Sequence, residues 1–212
     1  MNLLNKLDKH FAAAAAATVV ASGAQAAIVY SGVVNIAIPL NIDGVYLNMV
    51  TGATGTSGSG TAGWDINPYS SSGLSWFLPS TPAASHGLVR GAGSSTTQVD
   101  NLGGAGFYLS YLIDGAASQN YGAGTNQTTG TTAFVFNSSN NIVGLRFFNE
   151  STGAINYGWM RLSLSAAFNT TRSIVEYAYE DSGTGIVAGN IPAPGALAVL
   201  GLAGLAGRRR RA

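Results

Sequence analysis

The apolar residues of this 212-residue chain recur with a period of two, and no internal segment repeats them at the 3.6-residue spacing of a helix. In segment 155–164, Ile155, Tyr157 and Trp159 fall on one side of a strand, whereas the apolar residues of 160–164 fall on the other. A strand that is apolar on both faces is covered on both faces, as between packed sheets. We therefore predict an all-β body, a two-sheet antiparallel sandwich that is jelly-roll-like or similar.

Other short apolar runs are bounded by glycine, proline, asparagine or serine, which is typical of strands separated by turns. The predicted strands are 27–30, 33–40, 45–50, 64–66, 74–78, 86–90, 107–113, 131–136, 142–148, 155–164 and 173–179. The last four are predicted to form a meander, because their connectors are short. Two glycine-rich polar stretches, 52–63 and 115–130, are predicted to be loops.

The N-terminal segment has the composition of an export signal. A short lysine-containing start precedes an alanine-rich apolar run over 11–20. Ala24 and Ala26 then satisfy the small-x-small rule, which predicts a signal helix over 1–26 that is cleaved before Ala27. The alternative is an N-terminal amphipathic helix that the protein keeps.

The C-terminal segment, 191–212, combines a proline motif, an apolar stretch and a basic end. Residues 195–207 would form a helix in a bilayer, but thirteen residues span roughly 20 Å, short of the ~30 Å hydrocarbon core. The segment is therefore predicted to anchor the chain in the inner membrane only transiently, with the arginines on the cytoplasmic side. The residues concerned are Pro192, Ala193 and Pro194, followed after the apolar stretch by Arg208, Arg209, Arg210 and Arg211.

This order of features resembles the PEP-CTERM sorting signal of envelope-forming bacteria. In that family a Pro-Glu-Pro motif precedes a hydrophobic helix and an arginine cluster; here Ala193 stands in the place of the glutamate. The resemblance implies an exosortase-like processing enzyme as a partner, together with the Sec translocon and signal peptidase. Segments 44–48, 63–68, 157–162 and 176–180 also resemble uncharacterised exported proteins with this tail, for which the resemblance implies no activity.

Between the two ends lies one predicted domain, 27–190, with an acidic net charge. It holds four arginines, no lysine and eight carboxylates, a net charge of −4. Without a basic patch, nucleic-acid binding lacks its electrostatic basis. The chain has no cysteine, which excludes disulfides and thiol metal sites, and the single histidine of the body argues against a zinc site.

Residues that carry nucleophilic or cofactor chemistry are scarce in the body. Gly58–Gly63 has G-x-G-x-x-G spacing, but it leads into Trp64–Pro68, where no helix can start, so the segment is interpreted as a linker. His86 is predicted to be a surface loop residue. Its neighbour Ser85 would point to the opposite face of a strand, so we predict no catalytic residue and no cofactor.

Carboxylates leave two weaker alternatives. Glu176 and Glu180 share one face of a strand and would flank a sugar as an acid–base pair, although solvent-facing positions on an edge strand are the favoured interpretation. Asp65 and Asn67 would offer oxygen ligands to calcium, but no D-x-D-x-D-G loop accompanies them, so no metal site is predicted.

Aromatic side chains and asparagines provide the remaining candidates. Pyranose rings pack their C–H faces on aromatic rings, while amides and carboxylates bond the hydroxyls. The aromatic candidates for such a surface are Tyr30, Tyr46, Trp64, Tyr69, Trp76, Phe77, Tyr108 and Tyr111. Four N-x-S/T sequons, at Asn126, Asn137, Asn149 and Asn169, predict exposed positions.

These observations favour an exported surface or extracellular-matrix protein with a non-catalytic, structural or adhesive role. The alternative is a carbohydrate-binding module for exopolysaccharide, and a glycosidase is the weakest of the three.

Overall fold

A computed structural model describes residues 27–90, 98–103, 110–116, 120–122, 126–129 and 134–191. Every regular element in these ranges is a β-strand, so the all-β prediction is confirmed for this part of the chain. The described ranges contain no helix of the length and apolarity that crossing a membrane requires. The predicted cleavage residues Ala24 and Ala26, and the predicted sorting signal from Pro192 to Arg211, lie outside the described residues.

Within the described ranges, the strands form one large antiparallel sheet and three small ones. The main sheet has the order β1-β12-β11-β10-β7, with β2 also paired to β12, and the small sheets are β3-β4, β5-β6-β9 and β8-β13. The strands are β1 Ile28–Tyr30, β2 Ile36–Ala37, β3 Tyr46–Leu47, β4 Thr54–Gly55, β5 Asn67–Tyr69, β6 Ser75–Phe77, β7 Gly87–Leu88, β8 Leu112–Ile113, β9 Asn126–Thr128, β10 Ser138–Asn149, β11 Ala154–Leu164, β12 Arg172–Glu180 and β13 Ile186–Val187.

Strands β10, β11 and β12 form the last three strands of the predicted four-stranded meander and supply the longest pairings. Val143 lies opposite Met160, which in turn lies opposite Tyr177 on β12. The tight turn after β10 is held by Asn149, whose side-chain oxygen accepts the Ser151 N–H at 3.0 Å. The predicted strand ends are accurate here to within a few residues, because long alternating runs leave little freedom in register.

Each face of the main sheet carries a hydrophobic core, as the two-faced pattern of β11 predicts. Met160, Leu162 and Leu164 enter the first core, whereas Tyr157 and Trp159 enter the second. The first core also takes apolar residues of the β3 and β5–β6 region, and the second takes those of β8 and β13. Each large side chain buried in this way contributes about 1.5–3 kcal/mol to folding.

Several predicted segments differ in the structure. The predicted loop 115–130 contains β9, in which Gln127 is buried between two exposed neighbours and pairs with Trp76. The buried and exposed residues of β9 are all polar, so the sequence has no apolar pattern that would predict this strand. The predicted loop 52–63 contains β4, and the described part of the predicted strand 131–136 contains no strand. Of the predicted strand 107–113, residues 112–113 form β8 and 107–109 lie outside the described residues.

A buried arginine attaches the β5–β6 sheet to the main sheet. Arg172, the first residue of β12, donates to the backbone carbonyls of Pro39, Ser70, Gly73 and Phe168, and is 2 % exposed. Guanidinium groups suit this role, because five N–H donors in a fixed plane can satisfy several carbonyls at once. The loop that joins β5 to β6 is thereby held against the end of β12.

Candidate functional site

Four half-buried aromatic rings meet on the β3 and β5–β6 side of the molecule, and we call them the aromatic patch: Tyr46, Trp64, Tyr69 and Phe77. Trp64 stacks on Phe77 with ring centroids 5.4 Å apart and meets Tyr46 edge-on at 4.8 Å. Tyr69 lies two residues from Asn67, the register partner of Phe77. The structure therefore brings together half of the eight aromatic residues that the sequence offered for a sugar surface.

Strand alternation explains why these rings stay near the surface. In β6, Trp76 points into the first core with no exposed area, and its indole N–H donates to the Thr129 hydroxyl at 2.9 Å. Its neighbour Phe77 therefore points the other way, toward Trp64.

A cleft of about 210 Å³ opens beside the aromatic patch. It is lined by three of the four rings, by two amide side chains and by one aliphatic residue, namely Tyr46, Tyr69, Phe77, Asn67, Asn126 and Ile42. The Tyr69 hydroxyl donates to the Asn126 amide oxygen at 3.3 Å, and the Asn67 amide donates to the Asp43 carbonyl at 2.7 Å. Aromatic faces beside oriented amides are the groups that a sugar ring requires.

His86 is buried, which contradicts the prediction of a surface loop residue. It lies immediately before β7 and is 8 % exposed. Its Nδ1 is 2.9 Å from the Ser85 hydroxyl, and its Nε2 is 3.5 Å from Asp65. Ser85 contacts His86 because it belongs to a turn closed onto Pro82 and not to a regular strand. The strand argument that separated the two side chains was therefore wrong.

The three residues have the composition of a hydrolytic triad but not its arrangement. Ser85 is 2 % exposed and donates its proton to the Pro82 carbonyl, so it cannot reach a substrate carbonyl. The Phe148 N–H donates to Nε2 at 3.4 Å, which leaves Nδ1 to donate to Ser85. The array is a buried chain of hydrogen bonds around the His86 imidazole.

Asp65 is the other titratable group in this array. Its Oδ2 accepts the Met49 N–H at 2.7 Å, and its Oδ1 faces His86 without a hydrogen bond. Burial raises the pKa of Asp65 to about 6, against the opposing effect of His86 and the Met49 N–H.

Glu176 and Glu180 have structural partners in place of a shared sugar site. Glu176 pairs with Arg161 at 2.7 Å and accepts the Tyr30 hydroxyl. Glu180 is buried and accepts the backbone N–H groups of the turn that follows β12. Burial alone would raise the pKa of Glu180, but these hydrogen bonds outweigh it and lower the pKa. Both lie on β12, inside the main sheet, so the edge-strand interpretation was also wrong.

The remaining candidates do not join the patch. Trp76 is core, Tyr30 is held by Glu176, Tyr111 is half-buried beside the second core, and Tyr108 lies outside the described residues. Asp65 and Asn67 turn to different partners, and within the described ranges no group of three or more carboxylates and histidines is placed to hold a metal ion.

The sequons divide. Asn126, Asn137 and Asn169 are exposed as predicted, whereas Asn149 is buried because it closes the β10–β11 turn.

Sequence reasoning missed one exposed group near the patch. Glu150 follows β10 and lines a second cleft with Trp64 and His86. Only its place at a turn was visible in the sequence, and a turn glutamate gives no signal of what it faces.

Comparison of this chain with protein-family models, with curated proteins and with solved structures finds no match.

Proposed function

We propose that this chain is an exported surface protein whose body binds polysaccharide and catalyses no reaction. The observation that carries the proposal is the aromatic patch beside its amide-lined cleft, since rings and amides together complement the apolar and hydroxyl faces of a pyranose. Binding of this kind gives an adhesive role in an extracellular matrix.

The export part of the proposal draws its support from the sequence. The chain would enter the Sec translocon through residues 1–26, and signal peptidase would cleave it before Ala27. The tail, with Pro192, Ala193 and Pro194, would hold it in the inner membrane until an exosortase-like enzyme acts, as the PEP-CTERM resemblance implies. The body would be a β-sandwich, with a helix at each end of the precursor. The charge of the body, −4 with no lysine, is compatible with a polysaccharide partner.

The proposal that the body catalyses no reaction is supported by the structural hydrogen bonds of the candidate catalytic residues. Glu176 and Glu180 accept structural hydrogen bonds, and Ser85 donates to a backbone carbonyl. The aromatic patch has neither an acid–base pair nor an activated nucleophile among the described residues that line its cleft.

Trp64→Ala tests the proposal. Loss of the indole removes a ring contact worth about 1.4 kcal/mol, so the dissociation constant for a bound polysaccharide should rise about tenfold. Affinity electrophoresis of the full-length chain in mild detergent, through gels containing different polysaccharides, measures the change. The matched control is Tyr121→Ala, because Tyr121 is also half-buried but packs at the second core against Tyr157.

Two results would contradict the proposal. One is unretarded migration of the unaltered chain in every polysaccharide gel. The other is equal loss of retardation in both variants, which would mean that binding depends on general stability and not on the patch.

A further inference from the structure

A second cleft, of about 250 Å³, lies beside the aromatic patch and differs from the first in charge. Trp64 lines it together with Pro79, Thr81, His86 and Glu150. The neighbours of Trp64 in the patch, Tyr46 and Phe77, line the first cleft, so the rings separate the two. A linear glycan lying across the rings would therefore place consecutive sugar units at two different sites.

The carboxylate of Glu150 is the distinctive group of the second cleft. It is exposed, and no hydrogen bond or ion pair joins it to any of the described residues. It lies close to Gly63, which has a φ of +59°: a Cβ there would lie 3.2 Å from the Glu150 carboxyl carbon. Among the described residues, an unpaired carboxylate and an indole ring thus line the same cleft.

No cation of the described chain neutralises this carboxylate. Arg161 pairs with Glu176, Arg146 lies over the Tyr121 ring at 4.6 Å, and Arg172 is buried among carbonyls. The fourth arginine, Arg90, has a buried Nε that lies beside Gly122. The groups that face the cleft or lie behind it add no fixed positive charge. The Nε2 of His86 accepts the Phe148 N–H, and Asp65 behind it is a second carboxyl whose pKa Glu150 helps to raise. The phenols behind Asp65, Tyr177 and Tyr179, are uncharged at neutral pH.

We propose that the second cleft binds the protonated amine of an amino-sugar unit, with the ring of that unit against Trp64 and the amine against Glu150. This rests on the proposed function, and it specifies the ligand as a polysaccharide that carries free amines. A uronic acid at this position would be repelled by Glu150, and an N-acetylated sugar would lose the charge that Glu150 complements.

The test compares tetrasaccharides of glucosamine, N-acetylglucosamine and glucose by titration calorimetry against the full-length chain in mild detergent. The glucosamine tetramer should bind about fivefold more tightly than the other two, the size expected for a solvent-exposed ion pair. The preference should shrink at high salt. Glu150→Gln should remove the preference and leave the binding of the glucose tetramer unchanged.

Asp181→Asn is the matched control, because it removes an equally exposed carboxylate at the end of β12, where its partner is the Ala27 N–H. It should leave the glucosamine preference intact. A loss of near-UV circular dichroism would show that the Glu150→Gln variant is misfolded. In that case the salt dependence and the ligand ranking of the unaltered chain decide whether the cleft binds an amine.

The outcomes separate this inference from the function on which it rests. If the glucose or N-acetylglucosamine tetramer binds as well as glucosamine and Trp64→Ala weakens both, the amine site is overturned while polysaccharide binding stands. If the preference survives Glu150→Gln, the amine is bound elsewhere and the inference is wrong. If no tetramer and no longer polysaccharide binds, both fall.

Discussion

At the scale of single residues, the least expected feature is a carboxyl group buried beside an imidazole. Asp65 has no exposed area, and its Oδ1 faces the His86 Nε2 that already accepts the Phe148 N–H. The raised pKa of Asp65 follows mainly from its burial, and the folded state retains a proton that the unfolded chain would release.

The substitution Asp65→Asn tests the raised pKa of Asp65 through the pH dependence of stability. Between the ordinary pKa of 3.8 and the raised value of about 6, the folded chain binds more protons than the unfolded chain, so ionisation of Asp65 costs stability as pH rises. The asparagine keeps the shape without the charge. The free energy of unfolding of the variant minus that of the unaltered chain should increase by up to about 3 kcal/mol from pH 4 to pH 7.

Urea unfolding of both chains at pH 4, 5.5 and 7 measures this difference. A difference that decreases with rising pH would mean that an ionised Asp65 stabilises the fold, contrary to its raised pKa.

The sequence alone could not predict this array. Ser85 and His86 are adjacent, but only the turn through Pro82 lets them meet, and Asp65 comes from a segment twenty residues earlier. The aromatic patch was partly predictable, because aromatic residue type alone makes Tyr46, Trp64, Tyr69 and Phe77 candidates for a sugar-binding surface. What the sequence lacked was the packing that buries Trp76 and leaves these four half-exposed.

At the scale of strands, the long elements were predictable and the short ones were not. Strands β10, β11 and β12 carry enough alternating residues for their faces to be read directly. Strands of two or three residues such as β4 and β9 pair with β3 and β6, whose Leu47 and Trp76 lie in the first core, and no local period marks them.

Gly144 shows how closely β10 packs in the second core. It lies opposite Trp159 on β11, and a Cβ at this position would come within 2.8 Å of side-chain atoms of both Val89 and Leu102. The side chains of Val89 and Leu102 thus pack directly against the backbone of Gly144.

Gly144→Ala should therefore lower the free energy of unfolding by about 1–3 kcal/mol, the usual cost of overpacking. Gly73→Ala is the control, because the nearest atom to a Cβ there is 3.9 Å away and its φ is not positive. Urea unfolding of the two variants compares them. Equal stability would show that the second core is looser than these contacts indicate.

At the scale of the whole molecule, charge and aromatic surface are distributed in a way that suits a glycan partner. Three arginines are occupied inside the described body, by Glu176, by the Tyr121 ring and by backbone carbonyls. Glu150 remains unpaired among the described residues, beside Trp64. Composition had predicted the acidic body and its unsuitability for nucleic acid, but not where the free carboxylate would lie.

The most direct test of the account is where the native protein is found in cells that produce it. Cells expressing the unaltered chain or Trp64→Ala are separated into cytoplasm, medium and sedimented extracellular polysaccharide, and the protein is quantified in each fraction by immunoblot. The account predicts that the unaltered protein sediments with the polysaccharide and that the variant shifts to the medium. Recovery of both chains in the cytoplasm, or the same distribution of both outside the cell, would contradict it.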